Sequence, residues 1–505
     1  MRFMFRLYLC ILVLTMVSTA CALQTAAPSK PASDAGRSLA GPEEASKWPM
    51  YAAPRLTIDQ EGYLHLLWLA AESPKSWDIL VSRSEDFGAT FSPPIALKPD
   101  KGTGAEGHQI ATGQNGTVYA LWRERPPKTK TARLYLARSQ DYGKQWDTSP
   151  RVVSVSDDVG FPQLLTDREG GVHVVSLVGP KGHRVLDVMS SHDEGTTFSS
   201  TPIRLTAAIP TSEYGITNPR VVSDGEGRLY VVWEEMKSRS DTRIYLRQSL
   251  DRGKTWADPV LVSTPEEGEH RAYFPQIVAS PNGQVYVVWQ QDEFRADAAA
   301  QPGGLAKPDK FIAVNRSLDY GQTWLPQPIR LNQQVDQDPL VSATPQLSRD
   351  QRGHIYATWI EGDHSFPKRL LFARSSDAGM SWSDPKVRLD LTSPFGGRPA
   401  HPMMRSDDTG HIWIVWQEIS PDQKQWQLLV NRSDDGGVTW PPATPLTSVT
   451  LGGGGYRRVS FEDDAHGRLY VTWEGGPENS HALYLNRSVD FGETWLSRAV
   501  EIGRR

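Results

Sequence analysis

The chain has 505 residues, of which 38% are hydrophobic and 22% are charged, and its formal net charge is −5. This composition fits a soluble globular protein and excludes collagen, coiled coil, bulk disorder and a polytopic membrane protein. A surface that displaces the counterions of DNA or RNA has to be basic, so the slightly acidic balance argues against nucleic acid as a partner.

The first residues have the pattern of an export signal. Arg2 and Arg6 precede an apolar run over residues 7–17, which is too short to cross a bilayer as a helix and has the length of a secretory h-region. We therefore expect residues 1–21 to be a lipoprotein-like signal peptide. The mature protein is expected in the cell envelope, as a membrane-anchored lipoprotein or in a periplasmic or extracellular form.

Two kinds of processing fit the residues that follow this run. Ala20-Cys21-Ala22 suits cleavage after small residues, whereas Ser18-Thr19-Ala20-Cys21 resembles the lipobox of bacterial lipoproteins, with Ser18 in place of its usual Leu. The second cysteine, Cys10, lies in the segment to be removed, so Cys21 is predicted to be lipidated rather than bridged. Residues 22–47, rich in Ala, Ser, Pro and Gly, are expected to form a flexible tether.

One pattern of eight residues recurs through the rest of the chain. It reads Ser-x-Asp-x-Gly-x-(Thr/Gln/Ser)-(Trp/Phe), and we call it the hairpin motif. Its eight copies are Ser84–Phe91, Ser139–Trp146, Ser191–Phe198, Ser249–Trp256, Ser317–Trp324, Ser375–Trp382, Ser433–Trp440 and Ser488–Trp495. Four fixed positions would coincide by chance well under once in such a chain, so the copies mark a true repeat.

A second signature precedes each copy: a glycine followed six positions later by tryptophan, as in Gly227 and Trp233, with one defective copy that ends in Ser176. Around these residues apolar side chains alternate with a period of two, and turn residues bound every run. In the fourth repeat the pattern predicts strands over 218–223, 228–235, 242–249 and 259–263. Each repeat is therefore expected to be a four-stranded antiparallel sheet.

Four strands per repeat are typical of a β-propeller blade, since a lone blade could not bury both of its faces. The sequence predicts an all-β fold, an eight-bladed propeller over residues 48–505 with the hairpin motif between strands three and four. The motif resembles the Asp box of the sialidase-like (BNR-repeat) propeller family, and the resemblance covers nearly everything after the tether. The carboxylate of its Asp can accept hydrogen bonds from backbone amides of the hairpin, and its Gly can adopt the positive φ of the turn. The motif is therefore interpreted as structural. The eight aspartates are Asp86, Asp141, Asp193, Asp251, Asp319, Asp377, Asp435 and Asp490.

Strand parity predicts which face of the propeller is functional. In an up-and-down sheet the one–two and three–four turns share a side, so the hairpin motifs and the short Gly turns should lie together. The variable two–three and four–one loops occupy the other face, where binding residues are usually held on a rigid frame. The fifth repeat carries an insertion near residues 294–310, interpreted either as a mobile flap or as a neutral surface loop.

Candidate ligand-binding residues enter strand one from the four–one loops or end strand two on the same side. They are Arg271, Tyr273, Arg398, His401, Arg457, Arg458 and Glu234. Arginine pairs bidentately with carboxylates, and tyrosine stacks on sugar rings. The face that carries the two–three and four–one loops therefore has the side chains that bind a glycan. The alternative interpretation is a ring of mutual salt bridges between the arginines and the rim carboxylates.

The resemblance leaves two functions open. Sialidases hold the substrate carboxylate with three arginines and use a Tyr–Glu nucleophile, and their first Arg lies in an Arg-Ile-Pro motif. In that slot this chain has an arginine at Arg457, with Val459 in place of the Pro, and the other repeats have none. Catalytic candidates implied by the resemblance are Tyr456, Glu418 and Glu474.

The favoured prediction is an exported, membrane-anchored module that binds a glycan or an envelope protein without catalysis. The alternative is an exo-sialidase-like glycoside hydrolase with a divergent arginine cluster, which would need two carboxyl groups, or a Tyr with its Glu, at defined separations. A monomer is expected. The chain shows no pattern typical of a cofactor or metal site, so neither is expected.

Overall fold

The computed structural model describes residues 50–73, 76–98, 104–125, 132–154, 158–180, 183–206, 215–238, 240–263, 270–293, 308–332, 341–362, 367–383, 386–422, 424–447, 457–464, 466–475 and 482–503. All of them belong to one compact body, Gly36–Arg505. The expected signal peptide and tether, with Cys21, lie outside the described residues. Across these ranges, no helix has the length and apolar character needed to cross a membrane.

The strands of the first four repeats follow in chain order. Repeat 1 has β1 Met50–Ile58, β2 Leu64–Ser73, β3 Ser76–Ser84 and β4 Ile95–Ala96. Repeat 2 has β5 Ala105–Thr112, β6 Val118–Glu124, β7 Arg133–Ser139 and β8 Arg151–Val152. Repeat 3 has β9 Val159–Thr166, β10 Val172–Val178, β11 Val185–Ser191 and β12 Ile203–Arg204. Repeat 4 has β13 Gly215–Ser223, β14 Leu229–Met236, β15 Thr242–Ser249 and β16 Val260–Leu261.

The last four repeats have the same organisation. Repeat 5 has β17 His270–Ala279, β18 Val285–Glu293, β19 Asp309–Ser317 and β20 Ile329–Arg330. Repeat 6 has β21 Val341–Arg349, β22 Ile355–Gly362, β23 Pro367–Ser375 and β24 Val387–Arg388, followed by a 3-10 helix Leu389–Thr392. Repeat 7 has β25 Arg398–Ser406, β26 Ile412–Ile419, β27 Trp426–Ser433 and β28 Thr444–Pro445. Repeat 8 has β29 Arg457–Asp463, β30 Leu469–Gly475, β31 Ala482–Ser488 and β32 Val500–Gly503.

Within every repeat the four strands pair antiparallel in chain order, as the alternating sequence predicts. Two parallel bridges, Thr242 to Arg271 and Lys310 to Val341, also join repeats 4, 5 and 6 along one edge. The fourth strand of most repeats has two residues, so the strand predicted over 259–263 is shorter than expected. A four-stranded sheet that is covered on both faces needs neighbours, and the repeats supply them to one another.

Successive repeats bury a shared apolar cluster, and the series closes on itself. Seven clusters join repeat 1 to 2, 2 to 3, and so on to 8. An eighth joins the last repeat to the first, where Leu66 and Trp68 pack with Tyr470 and Leu485. Because burying one such side chain contributes about 1.5–3 kcal/mol, these clusters are the main stabilising contacts between repeats. The first strands also contact one another in sequence from β1 to β29 and back to β1, which makes them the inner strands.

The hairpin motif is held by the same hydrogen bonds in every copy. In repeat 4, Asp251 accepts hydrogen bonds from Ser249 Oγ at 2.8 Å and from the backbone N of Thr255 at 2.8 Å, while Gly253 N donates to Ser249 Oγ at 2.7 Å. Arg252 and Gly253 are both left-handed, with φ of 63° and 78°. The side chains of this motif therefore stabilise a turn, as its residue types predict.

The hairpin motifs and the one–two turns lie on the same face, which confirms the parity argument. Tyr142 N donates to Gly116 O at 2.8 Å in repeat 2, and Phe491 N donates to Gly467 O at 2.9 Å in repeat 8. Each bond joins a motif to the short Gly turn of its own repeat. The four–one loops and the starts of the inner strands are consequently at the opposite end.

Candidate functional site

Every inner strand is interrupted near its start by a β-bulge with a left-handed residue. The pairing of β1 with β2, for example, shifts between Ala52 and Arg55, and Ala53 in between has a φ of 56°. We call these residues the bulge ring. Its members are Ala53, Gly107, Phe161, Asn218, Phe274, Thr344, His401 and Arg458. A left-handed residue other than glycine costs about 1–2 kcal/mol, so a ring that is almost free of glycine retains considerable backbone strain.

The bulge ring presents large side chains to solvent at the end opposite the hairpin motifs. Phe161 is 48% exposed and Phe274 is 51% exposed, and His401 and Arg458 are also exposed. Exposed aromatic rings in strained positions are not explained by core packing. They provide flat apolar surfaces beside cationic and hydrogen-bonding groups, which suits a ligand with both apolar and polar faces.

Buried carboxylates at the ends of the second strands hold these bulges. Glu234, in β14, accepts hydrogen bonds from Asn218 Nδ2 at 2.8 Å and from the backbone N of Phe274, so it links the bulges of repeats 4 and 5. Burial raises the pKa of Glu234, although both hydrogen bonds oppose that shift. Glu474 accepts from the backbone N of Ala53 at 3.4 Å, which links repeat 8 to repeat 1. Both carboxylates therefore position the ring.

Glu418, the third sequence-predicted carboxylate, is fully buried at the end of β26. Its Oε1 accepts from Ser393 Oγ at 2.9 Å and from the backbone N of Gly397, and its Oε2 accepts from Trp416 Nε1 at 3.0 Å. The donors belong to the four–one loop and to the Gly-Trp signature. In this geometry Glu418 fixes the loop that leads into β25.

The other sequence-predicted residues lie at the starts of the inner strands of repeats 5, 7 and 8. His401 and Arg458 are bulge-ring residues, whereas Arg271 and Arg398 precede the bulges of their strands by three positions. Tyr273 is half-buried, and burial raises its pKa.

Of the three catalytic candidates, Glu418 and Glu474 accept hydrogen bonds from the backbone amides of Gly397 and Ala53. Tyr456 and the side chain of Arg457 lie outside the described residues. The same holds for most of the insertion expected near 294–310.

A second set of residues, the inner ring, follows each bulge by two positions. Its members are Arg55, Gln109, Gln163, Arg220, Gln276, Gln346, Met403 and Ser460. Each is the first residue to pair with the second strand after the bulge. Because side chains alternate along a strand, these side chains lie on the opposite side of their strand from the residues that follow them, such as Leu56 and Ile277, which belong to buried clusters; Met403 packs against the cluster between repeats 7 and 8. Two arginines and four glutamines thus occupy equivalent positions on the first strands.

The electrostatics at this level are positive. Burial lowers the pKa of Arg55, and the charges of Arg458 and Arg220 lower it further, while Glu462 opposes them. Glu462 itself is bonded to Arg405 at 3.1 Å. The neighbouring His108 is buried, and burial together with the charge of Arg55 lowers its pKa to about 3, so it is neutral.

Sequence reasoning missed the inner ring and the bulges. The candidates were sought before the strand-one proline, whereas Arg55 and Arg220 come directly after it. A signal was present, because the residue after the proline is Arg or Gln in five repeats. Positive φ at a residue such as Phe161 could not have been read from its type.

A cavity of about 330 Å³ lies at the motif-bearing face, between the one–two turns of repeats 1, 2, 3 and 8. Its walls include Asp59, which binds His65 at 2.8 Å, and Asp167, which binds Arg252 at 3.2 Å. Burial raises the pKa of Asp463 in this wall to about 6, although Arg405 opposes the shift. Over the ranges that the structure covers, no group of three or more His, Cys, Asp and Glu side chains is arranged to hold a metal ion.

No family model and no curated protein matches this chain. Among solved structures, a PL25 polysaccharide lyase, an ulvan lyase, is similar with a TM-score of 0.51 and 14% identity, over 79% of this chain and 96% of that chain. A PL25 ulvan lyase bound to -[GlcA(1-4)Rha3S]- gives a TM-score of 0.50 and 16% identity, over 77% and 92% of the two chains. A Hadza microbial sialidase gives a TM-score of 0.39 and 15% identity, over 70% of each chain, and at that score carries no argument. The chain therefore shares its fold with these two lyases.

Proposed function

We propose that the eight repeats form an eight-bladed Asp-box propeller of the sialidase-like type, and that it is a non-catalytic module which binds a glycan at the bulge ring. The order of packing supports the blade count, because each repeat shares a buried cluster with the next and repeat 8 shares one with repeat 1. The recurring Ser–Asp–Gly hydrogen bonds support the Asp-box assignment.

The observation that carries the function is the exposure of Phe161 and Phe274 in left-handed conformations at equivalent positions of two inner strands. Strained residues persist when the surrounding structure holds them and are concentrated at functional sites. An aromatic ring stacks on the apolar face of a sugar, and the nearby amides and cations match its hydroxyl or acidic groups. The solved neighbours include a polysaccharide lyase bound to a glycan, which supports a glycan as the class of ligand.

The absence of catalysis is proposed from the partners of the rim carboxylates. Glu234 and Glu418 are buried and each accept at least two hydrogen bonds, and Glu474 is buried against Ala53 N. A general acid or nucleophile has to reach the reacting bond, and a buried carboxylate that accepts hydrogen bonds from backbone and side-chain donors does not. These groups are positioning residues of the bulge ring in this account.

The experiment is retention on immobilised polysaccharides combined with a product assay in the same samples. The purified protein is run through gels that contain neutral, carboxylated or sulfated polysaccharides, and the supernatants are tested for reducing ends, unsaturated uronates and, with a fluorogenic sialoside, free sialic acid. We expect retention on at least one polysaccharide without product. Product formation that Glu418→Gln or Glu474→Gln abolishes would overturn the non-catalytic assignment, and retention on none would overturn glycan binding.

Export and anchoring are a separate part of the proposal and rest on the sequence of residues 1–47. We expect the full-length protein to fractionate with membranes and to incorporate labelled palmitate. Cys21→Ala should abolish the label, because the thiol that carries the lipid is then missing. Without its lipid chains the protein should be found in the soluble fraction. Unchanged membrane association of Cys21→Ala would contradict the anchor.

A further inference from the structure

We propose that the motif-bearing face is a second binding surface, which takes a basic protein segment that carries apolar side chains. This face holds the hairpin motifs and the one–two turns, and it lies opposite the bulge ring. The inference goes beyond glycan binding and does not depend on it. Because the two surfaces lie at opposite ends of the inner strands, one molecule can hold a partner at each.

The first step of the argument is the concentration of apolar side chains on this face. Among the described residues, seven of the eleven exposed large hydrophobic side chains lie in hairpin motifs. They are Phe87, Leu250, Leu318, Met380, Val438, Val489 and Phe491. Single exposed apolar residues are ordinary on a protein surface, but a set that gathers on one face marks an interaction site.

The turn itself does not require these side chains. Leu250 and Leu318 occupy the second position of the motif, where repeats 2 and 3 have Gln140 and His192. Met380 occupies the sixth position, where repeat 2 has a lysine. The motifs of repeats 2 and 3 keep the same Ser–Asp–Gly hydrogen bonds with these polar residues. Folding of the hairpin therefore leaves the apolar residues unexplained.

Five of the exposed side chains belong to consecutive repeats, from 4 to 8. Neighbouring motifs in this series are in contact: Arg316 Nη1 donates to Ala378 O of the next motif at 2.7 Å, and Arg374 Nη1 donates to Gly436 O at 3.3 Å. The five side chains therefore follow one another around the face. We call them the apolar arc, and its members are Leu250, Leu318, Met380, Val438 and Val489.

The second step is the charge of the same face. The eight motifs, together with the one–two turns over residues 59–63, 113–117, 167–171, 224–228, 280–284, 350–354, 407–411 and 464–468, carry 22 acidic residues and seven basic ones. The whole chain has a net charge of only −5, so its acidic excess is gathered here. Within the described part of the chain, the exposed side chains of Glu61 and Glu226 have no cation at ion-pair distance. A surface of one sign steers and selects a partner of the opposite sign.

The acidic charge also decides between the possible occupants of the apolar arc. A second copy that docked through the same face would bring like charges together, which is unfavourable. An anionic lipid surface would be repelled for the same reason. A basic protein segment matches both features, because its Lys and Arg side chains pair with the carboxylates while its apolar side chains cover the arc.

The test uses three fluorescent synthetic peptides of equal length, in which Lys alternates with Leu, Glu with Leu, or Lys with Ser. Fluorescence anisotropy measures their affinity for the parent protein, Leu318→Ser and Met380→Ser. Leu391→Ser is the matched control, because Leu391 is 70% exposed, against 65% for Met380, and lies in a four–one loop on the opposite face. All four proteins carry Cys21→Ala, so that no lipid anchor contributes, and thermal melts verify that each is folded.

We expect the Lys-Leu peptide to bind about tenfold or more tightly than the other two, since only this peptide has both the charge and the apolar side chains. Leu318→Ser and Met380→Ser should each weaken its binding about fivefold or more, because an apolar contact is lost. Leu391→Ser should bind like the parent protein. Equal affinity for the three peptides, or equal affinity of the arc variants and the control, would overturn the proposal.

Two further measurements test the other occupants. Vesicles of phosphatidylglycerol and phosphatidylcholine should not retain the parent protein, and sedimentation should show a monomer. Vesicle binding or self-association that Met380→Ser abolishes would overturn the proposal, because lipid or a second copy would then cover the apolar arc. Polysaccharide retention reports on the bulge ring alone, so failure of peptide binding is distinguishable from failure of glycan binding.

Discussion

Arg487, in the last repeat, donates from Nη1 to the carbonyl oxygen of Phe87 in the first repeat at 2.6 Å and to that of Asp86 at 3.1 Å. The ring of Phe87 also lies 4.0 Å from the guanidinium carbon of Arg468 in repeat 8. Arginine in this position makes the same kind of bond elsewhere, since Arg316 Nη1 donates to Ala378 O of the next motif at 2.7 Å. The contact that joins neighbouring repeats therefore also joins the two ends of the series.

Removing this contact should destabilise the protein as much as removing its internal counterpart. We expect Arg487→Ala and Arg316→Ala each to lower the free energy of unfolding by about 1–3 kcal/mol, because hydrogen bonds of a charged donor are lost and carbonyl oxygens are left without it. Denaturant unfolding of both variants measures the effect, with Arg498→Ala as the exposed control. A loss for Arg316→Ala with none for Arg487→Ala would contradict closure of the series.

The hairpin-motif aspartates should make stability depend on acid pH. The Ser381 hydrogen bonds lower the pKa of Asp377 to about 2; at Asp193 burial opposes the shift, but the Thr197 hydrogen bonds prevail and its pKa is also about 2. Folded pKa values below the unfolded value of about 4 stabilise the fold above pH 4, and this contribution is lost as the pH falls towards 2.

Melting temperatures between pH 2 and 6 provide the measurement, with Asp377→Asn as the matched variant. The wild type should be more stable than Asp377→Asn near pH 6, and the difference should shrink towards pH 2, where the wild-type carboxylate becomes protonated. A difference that does not change with pH would mean that the ionised form of Asp377 contributes nothing to stability.

Strain in the bulge ring can be measured at Phe161, whose φ is 48°. Phe161→Gly and Phe161→Ala remove the same ring, but glycine adopts the left-handed conformation without a Cβ clash. Glycine loses more chain entropy than alanine on folding, which offsets part of the relieved strain. The net expectation is that the free energy of unfolding of the glycine variant exceeds that of the alanine variant by about 0.5–1 kcal/mol. Equal stability of the two variants in denaturant unfolding would argue that the bulge is unstrained.

Glu418 distinguishes a positioning role from a catalytic one. Its two carboxylate oxygens accept from Ser393, Gly397 and Trp416, whereas an amide has one acceptor oxygen and would place an NH₂ group against donors. We expect Glu418→Gln to lower the free energy of unfolding by about 1–3 kcal/mol. Glycan retention per folded molecule should weaken without being lost, because the loop that leads into the bulge of β25 is less firmly held while Phe161 and Phe274 are unchanged, as measured by affinity electrophoresis at low temperature.

Most of the fold could be predicted from the sequence because its signals are local and repeated. The hairpin motif fixes a turn through its own Ser, Asp and Gly, and the period-two pattern fixes the strands, as β14 and β15 show. The shared face of the motifs and the Gly turns followed from parity alone, and the bond from Tyr142 N to Gly116 O confirms it.

The site could be predicted only at the level of its face. The sequence analysis selected His401, Arg458 and Glu234 by residue type. His401 and Arg458 are members of the bulge ring, and Glu234 accepts a hydrogen bond from the backbone of another member, Phe274. The ring itself depends on a left-handed bulge that no residue type marks. Arg55 and Arg220 occupy equivalent positions on strands that are distant in the chain, and the charge of Arg220 lowers the pKa of Arg55. The Arg or Gln after the strand-one proline marks these positions, but one sequence does not show which of them interact.

The central claim, that the bulge ring binds a glycan, is tested most directly by affinity electrophoresis of four variants on the polysaccharide that retains the wild type. Phe161→Ala and Phe274→Ala remove rings that are 48% and 51% exposed, and Leu250→Ala and Leu318→Ala remove side chains that are 52% and 50% exposed on the opposite face. The account predicts loss of retention for the two phenylalanine variants and wild-type retention for the two leucine variants. If the two phenylalanine variants were still retained and the two leucine variants were not, the binding surface would lie on the motif-bearing face. That result would contradict glycan binding at the bulge ring.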